Sequence, residues 1–476
     1  MPPSDFAEQA SSSTEVARPS ASLPAVEVVP GGPVHGTIQP PGSKSLTNRA
    51  LVCAAFADGV STLTGALRSE DTEVMIEAVR SIGVNVDIQQ GGRQLTVDAT
   101  ERLPLKASSH RLDLFIANSG TTIRFLTAAL SAAGGHFVLH GVERMHERPI
   151  SDLVDAIRPI QQGTISTQSA GGCPPVLIES DGWSGRQIKV AGSVSSQYLS
   201  GLMMAAPISM RNHPVSDQSV TISVVGELVS MPYVQMTAEV MQSFGAKVSI
   251  FSEPQQGDET VRIEVAGNGY QAKQYAIEPD ASAASYFWAA AAISGGDVTV
   301  TGLHKDAMQG DVGFCDVLKQ MGCQIIHADD SIRVIGGKLS GVDVNMNEIS
   351  DTVQTLSVVA LFADGPTRVR GVAHNRFKET DRIGDLATEL RKLGAVVDEH
   401  EDGLTIHPIA DSESFAETFS GATLETYHDH RMAMSLSLAG LRLPGVKILN
   451  PACTGKTYPE YFADLEQLIG RAHRWA

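Results

Sequence analysis

The chain has 476 residues, 42% hydrophobic and 19% charged, with 44 Gly, 23 Pro and a formal net charge of −18. That length holds two or more domains with sizeable cores, and the acidic balance argues against nucleic acid or an anionic membrane as the main partner. No uninterrupted apolar run reaches membrane-spanning length, and any anionic ligand must be held by local cations.

Residues 1–24 are rich in Ser, Ala and Pro and are expected to form a disordered N-terminal extension. They lack the basic start and apolar core of a secretory signal, and Asp5, Glu8 and Glu15 with only Arg18 argue against a transit peptide. Five scattered cysteines, Cys53, Cys173, Cys315, Cys323 and Cys453, form no CxxC pair. This points to a reducing cytoplasm without disulfides or a zinc site.

The segment VEVVPGGPVHGTIQPP reads as a strand, and PPGSKSLTNRAL, residues 40–51, then breaks the chain and opens a helix. A small-residue loop at a helix start presents unpaired N–H groups and the positive end of the dipole, which suits an anion; Lys44 adds a full charge. A nucleotide-hydrolysing P-loop requires Gly directly before its Lys, and Ser43 stands there instead. A helix cap with a solvated Lys explains the stretch equally well.

Six similar units follow. In each, an apolar helix pattern gives way to a short alternating strand that ends at Gly65, Gly141, Gly226, Gly302, Gly371 or Asn450, a period of about 77 residues. A second helix comes next in five units, and in four of them an alternating run follows: VNVDI, AKVSI, CQIIHA and AVVDEH. The first helices, such as SYFWAAAAI, are apolar nearly all round, so they belong inside with sheets covering them. Six α/β units divide into two lobes of three with a seam near residue 277. A chain that starts and ends in one lobe crosses between them near 42 and 277.

Candidate functional residues gather at helix starts and in loops. ANSGTTIRF offers Asn118, Gly120, Thr121 and Arg124, and ERMHERPIS offers Arg148. SVSSQYLSG places Ser195, Ser196 and Gln197 at a helix start, while LVSMPY adds Ser230 and Tyr233. In the second half the equivalent positions are charged: Asp351, Lys378, Glu379, Asp381, Arg382, Asp429, His430, Arg431 and Lys456. An N-cap accounts for Asp429 well and for Asp351 in principle. His428 and His430 are spaced for one strand face but lack a third metal ligand. Lys378 and Arg382 stand one helical turn apart, unfavourable unless an anion joins them. Acid/base carboxylates beside several anion clamps suit transfer between two anionic small molecules across a cleft.

Taken in order over roughly residues 25–470, PGSKSLTNRAL, NSGTTIR, RMHERPI, SSQYLSGLMMAAP, ELVSMPY, EPDASAASYF, FKETDRI, DHRMAMS and GKTYPEYF resemble the 5-enolpyruvylshikimate-3-phosphate synthase family. The resemblance implies an α/β, two-lobed enolpyruvyl transferase fold, an inside-out α/β barrel with three repeated subdomains per lobe and buried helices. One lobe would comprise residues 25–42 plus 278–476 and the other 43–277, with the active site in the cleft. It implies transfer of the enolpyruvyl group of phosphoenolpyruvate to the 5-hydroxyl of shikimate 3-phosphate, in the shikimate pathway to chorismate and aromatic amino acids. A tetrahedral intermediate is implied, no metal or organic cofactor, and a cytoplasmic monomer.

Carried over by motif, Ser45, Arg49, Ser195, Ser196, Ser230 and Lys378 would hold shikimate 3-phosphate, with Lys44 and Gln197 shared between the ligands. Gly120, Arg148, Arg382, Arg431 and Lys456 would meet phosphoenolpyruvate, with Asn118 and Arg124 shaping that pocket. Asp351 would take the 5-hydroxyl proton; Glu379, with Lys456 as its rival, would protonate the methylene carbon. Ser119, where the family commonly has Ala, and His374, often Asn, depart from the pattern, the first bearing on glyphosate sensitivity. The related transferase acting on UDP-N-acetylglucosamine typically has Asn after the Lys and a reactive loop Cys, and here Ser45 follows Lys44. A non-catalytic sugar-phosphate binder would not need Asp351, Glu379 and Lys456 beside its anion sites.

Overall fold

The computed structural model describes residues 25–476 apart from 102–104, 106–109, 193–195, 212–218, 227, 229, 253–258, 268 and 410–411. The expected N-terminal extension, residues 1–24, and Ser195 lie outside the described residues. Among the described residues the chain forms six four-stranded sheets and one two-stranded pairing.

The repeat is literal in the backbone. Helices Lys44–Ala55, Gly120–Ala133, Ser196–Arg211, Ala281–Ser294, Val353–Ala360 and His430–Ser437 lead into strands Val60–Thr64, Gly135–His140, Ser219–Val225, Asp297–Thr301, Thr367–Arg370 and Val446–Leu449. Each of these strands has a parallel neighbour on one side and an antiparallel one on the other. The helices are buried on all sides, because Ala and other small apolar residues leave no polar stripe to face water; in Ala281–Ser294 every residue from Ala281 to Ile293 is buried. Side-chain caps start four of them: Ser43 accepts from Leu46 N, Ser119 from Thr122 N, Asp280 from Ala283 N and Asp429 from Arg431 N.

Two hydrophobic cores result. One runs from Leu46 to Ile277, and the other gathers Val26, Val28 and Val34 with residues from Ala281 to Ile469. Hydroxyls cross the second core from helix to helix. Ser285 Oγ lies 3.1 Å from Thr355 Oγ1, which lies 3.3 Å from Ser435 Oγ, so each buried hydroxyl finds a partner on the adjacent helix.

Three features depart from the sequence reading. The stretch before Gly42 is not one strand: Ala25–Glu27 pairs with Val446–Leu449 and Arg474–Trp475, whereas His35–Ile38 joins Asp297–Thr301. Pro30 and Pro33 flank two glycines between them, and Pro cannot donate to a ladder. Gln161–Ser169 is a strand without a clear apolar alternation, held by its long antiparallel partner Cys173–Trp183. The KETDR segment is a loop rather than a helical face, since the helix begins only at Gly384.

The chain passes between the cores twice, and the two passages run side by side. Gly42 and Pro279 form an antiparallel bridge; Ser43 N donates to Glu278 O at 2.8 Å and Asp280 N to Pro41 O at 2.8 Å. A Cβ on Gly42 would overlap the Gly65 carbonyl, so this crossing requires Gly. No helix among the described residues is long and apolar enough to cross a membrane.

Candidate active site

Arg382 is the hub of the second lobe's functional residues. Although only 2% exposed, its guanidinium contacts three carboxylates: Asp429 Oδ2 at 2.7 Å, Glu379 Oε2 at 2.8 Å and Asp351 Oδ1 at 3.3 Å. Desertion by water would lower the Arg382 pKa, but Asp429, Glu379 and Asp351 outweigh it and raise it. This explains why KETDR does not stay helical: buried carboxylates pull Arg382 inward, and its backbone N–H bonds Asn375 O at 3.2 Å. Arg431, at the start of helix His430–Ser437, donates to Asp351 Oδ2 at 2.7 Å and to Asp351 O at 3.2 Å. Lys456 donates to Glu379 Oε1 at 3.0 Å.

These neighbours set the carboxylates' charge. Burial alone would raise Asp351, but Arg431, Lys378, Arg382 and Lys44 hold it well below the usual carboxylate range. Glu379 is likewise depressed against its burial by Lys456, Arg382 and Arg148. Lys378 is lowered by burial. Asp351 makes no cap; it is an ion-pair partner, whereas Asp429 caps its helix and also binds Arg382.

The first lobe contributes a second group. Arg148 Nη1 donates to Asn118 O at 3.1 Å and to Asn118 Oδ1 at 3.2 Å, and burial lowers its pKa, with Arg124 adding to the effect. A side chain at Gly120 would run into the same guanidinium. Arg124 donates to Gln197 Oε1 at 2.5 Å, and Gln197 to Thr121 Oγ1 at 3.3 Å. Lys44 Nζ is 3.1 Å from the Asp71 carboxylate. Arg49 is wholly engaged by protein groups: Thr237 Oγ1 at 2.8 Å, Ser45 O at 3.0 Å and Ser200 Oγ at 3.1 Å. Ser196 is buried as the first residue of its helix. Ser119, also buried, caps its own helix rather than facing the loop.

The two groups face each other. Tyr233 OH donates to Asp351 Oδ2 at 2.9 Å, and Ser230, in a left-handed conformation at φ 59°, donates through its N–H to Asn347 Oδ1 at 3.2 Å and through its hydroxyl to Asn347 O at 3.3 Å. Arg148 acts electrostatically on Glu379, and Lys44 on Asp351 and His430.

The family model for EPSP synthase (3-phosphoshikimate 1-carboxyvinyltransferase) matches residues 28–465. The chain belongs to the EPSP synthase family. A 3-phosphoshikimate 1-carboxyvinyltransferase of Trichormus variabilis is 42% identical over 442 residues, covering 92% of this chain and 97% of its own. The chloroplastic enzyme of Solanum lycopersicum is 42% identical over 449 residues, 91% and 82% of the two chains. Among solved structures, EPSP synthase from Acinetobacter baumannii superposes with a TM-score of 0.74 at 26% identity over 95% of this chain and 99% of that one. The enolpyruvyl transferase NikO from Streptomyces tendae shares the fold, with a TM-score of 0.69 at 18% identity over 94% and 98%.

In and beside this candidate site, sequence reasoning missed Asp71 and Asp311. Asp71, in the first turn of helix Glu70–Ser81, passes for an ordinary helix-start acid until Lys44 is seen against it. Asp311 sits in the turn Gly310–Gly313. The histidine pair does not share a strand face: Tyr427 and His428 both have positive φ, His428 is exposed beside Asn450, and His430 is buried. His374 is buried, and that burial, followed by the Lys378 charge, pushes it down to about 4.

Proposed function

We propose that this chain transfers the enolpyruvyl group of phosphoenolpyruvate to the 5-hydroxyl of shikimate 3-phosphate, releasing phosphate, as a step in aromatic amino-acid biosynthesis. The observation that carries the reading is the buried network of Asp351, Glu379 and Lys456 around Arg382. It faces Lys44, Arg124 and Arg148 across the interlobe space. Two polyanions need this many cations, and cations already fixed by buried partners stabilise developing charge without reorganising.

In this reading Lys44, Ser45, Arg49, Ser195, Ser196, Gln197, Ser230 and Lys378 hold shikimate 3-phosphate. Arg49 then exchanges protein partners for the ligand. Lys44, Asn118, Gly120, Arg124, Arg148, Gln197, Arg382, Arg431 and Lys456 hold phosphoenolpyruvate. Asp351 accepts the 5-hydroxyl proton as the oxygen attacks C2. Arrival of the ligands' negative charge offsets Arg431, Lys378 and Lys44, and so raises the basicity of Asp351 from its depressed resting state. The Glu379 and Lys456 pair protonates the methylene carbon; the tetrahedral adduct then loses phosphate and a methyl proton. The lobes, residues 25–42 plus 278–476 and residues 43–277, close about the paired passages at Gly42 and Pro279. The chain works as a monomer in the cytoplasm, in keeping with five unpaired thiols.

The test is phosphate release from phosphoenolpyruvate by the purified protein, with shikimate 3-phosphate or UDP-N-acetylglucosamine as acceptor. Release with the first alone is expected, and Asp351→Asn should lower it by ~100-fold or more while binding survives. Release only with the second acceptor, or binding without release, would overturn the reading.

A further inference from the structure

Asp311 has no place in the network described above. It is 5% exposed, and Oδ1 has no hydrogen-bond partner among the described residues. Its Oδ2 accepts from Ser282 Oγ and, at 3.5 Å, from Tyr233 OH. The same phenol oxygen lies 2.9 Å from Asp351 Oδ2, and its single proton serves one carboxylate at a time, leaving its lone pairs free to accept from the other carboxyl when that one is protonated. One hydroxyl of the first lobe therefore stands between two carboxyl groups of the second.

The two carboxyls are chemically unlike. Asp351 contacts both Arg382 and Arg431, which makes it easy to ionise and a reluctant proton acceptor. Asp311 has no ion pair among the described residues; Arg431 stands beyond Ser282, 3.4 Å from that hydroxyl, and lowers Asp311 only as a more distant charge. The charged and titratable groups around Asp311 are Asp280, at the start of helix Ala281–Ser294, together with Asp351, Arg431 and Tyr233. Burial first, then the Asp351 charge, push Asp311 up to about 7. A proton left on Asp351 gains by moving on to Asp311.

We propose that Asp311 is the positioning residue at which the acceptor's proton comes to rest, reached from Asp351 through the Tyr233 hydroxyl. The proposal rests on Asp351 being the base. The acceptor O–H bond breaks, its electron pair forms the bond to C2 of phosphoenolpyruvate, and its proton passes to Asp351 Oδ2. Tyr233 oxygen takes that proton while its own moves to Asp311 Oδ2. Asp351 is again a carboxylate, Tyr233 is again a phenol and Asp311 is a neutral acid. The proton returns by the same hydrogen bonds to Asp351 and leaves with the released phosphate, so that both carboxylates are ionised before the next turnover. Asp311 must start ionised, so kcat should rise with pH through about 7.

The test compares Asp311→Asn, Tyr233→Phe, the double variant and Asp351→Asn by kcat and KM from pH 5.5 to 9. Asp311→Asn should lose roughly 10- to 100-fold in kcat at pH 8, with both KM values within about twofold, and its acid limb near 7 should disappear. Tyr233→Phe should remove the same limb, which keeps the test valid if Asp311→Asn folds poorly. The double variant should be no slower than the slower single one, because both groups serve one path. A limb near 7 that persists in both single variants, or losses that multiply in the double, would overturn the relay. If Asp351→Asn is inactive and Asp311→Asn is normal, only the relay falls; if Asp351→Asn turns over normally, the assignment of the base falls as well.

Discussion

Gly120 opens its helix without a side chain because the Arg148 guanidinium occupies the space a Cβ would need. The same guanidinium binds Asn118, so residue 120 controls where a cation of the anion-binding loop sits. Gly120→Ala should displace Arg148 while leaving the buried helix behind it in place. Steady-state kinetics should show KM for phosphoenolpyruvate raised about tenfold, a loss near 1.4 kcal/mol in binding, with KM for shikimate 3-phosphate little changed. An unaltered KM for phosphoenolpyruvate would mean that Arg148 does not meet that ligand. The neighbouring Ser119 is a different case: its hydroxyl is committed to Thr122 N as a cap, at 3.3 Å. The sequence could single out residue 120 as a backbone approach point, but not that Arg148 was the group approaching.

At the scale of elements, the six buried helices were legible because burial on all sides demands a sequence that is apolar on all sides, and six copies of it stand out. Their hydroxyls were not legible as a set. Ser285, Thr355 and Ser435 are far apart in sequence and meet only because three central helices come together. Thr355→Val keeps the shape but leaves two buried hydroxyls short of a partner. Urea unfolding should show about 1–3 kcal/mol of destabilisation with kcat retained; no loss would mean that the chain of hydroxyls contributes nothing net. Short elements were illegible for a simpler reason. Arg474–Trp475 is two residues long, too short to show a period, and it is a strand only because it covers the outer edge of Ala25–Glu27, a three-residue strand that the sequence reading merged with His35–Ile38. KETDR misled because its spacing suits a helix, while three carboxylates, one buried and two partly buried, hold Arg382 in a loop.

For the whole molecule the decisive junction is the pair of passages between the lobes. Gly42→Ala would force them apart, since the added carbon overlaps the Gly65 carbonyl, and the bonds Ser43 to Glu278 and Asp280 to Pro41 would lengthen. Thermal unfolding should fall by several degrees, for a loss of about 1–3 kcal/mol. Small-angle scattering should show less compaction on adding both substrates than in the unsubstituted chain. Equal compaction would show that the crossing does not guide closure.

The borrowed strands also impose an order on synthesis. The sheet of Val60–Thr64 is completed by Gln274–Ala276, so every fully buried residue of the first core has been made by residue 277. Ala25–Glu27 and His35–Ile38 leave the ribosome first yet pair with Val446–Leu449 and Asp297–Thr301. They must wait, unpaired, while a whole lobe folds behind them. The earliest-made of the described strands thus find their sheets late, and one is sealed only by Arg474–Trp475.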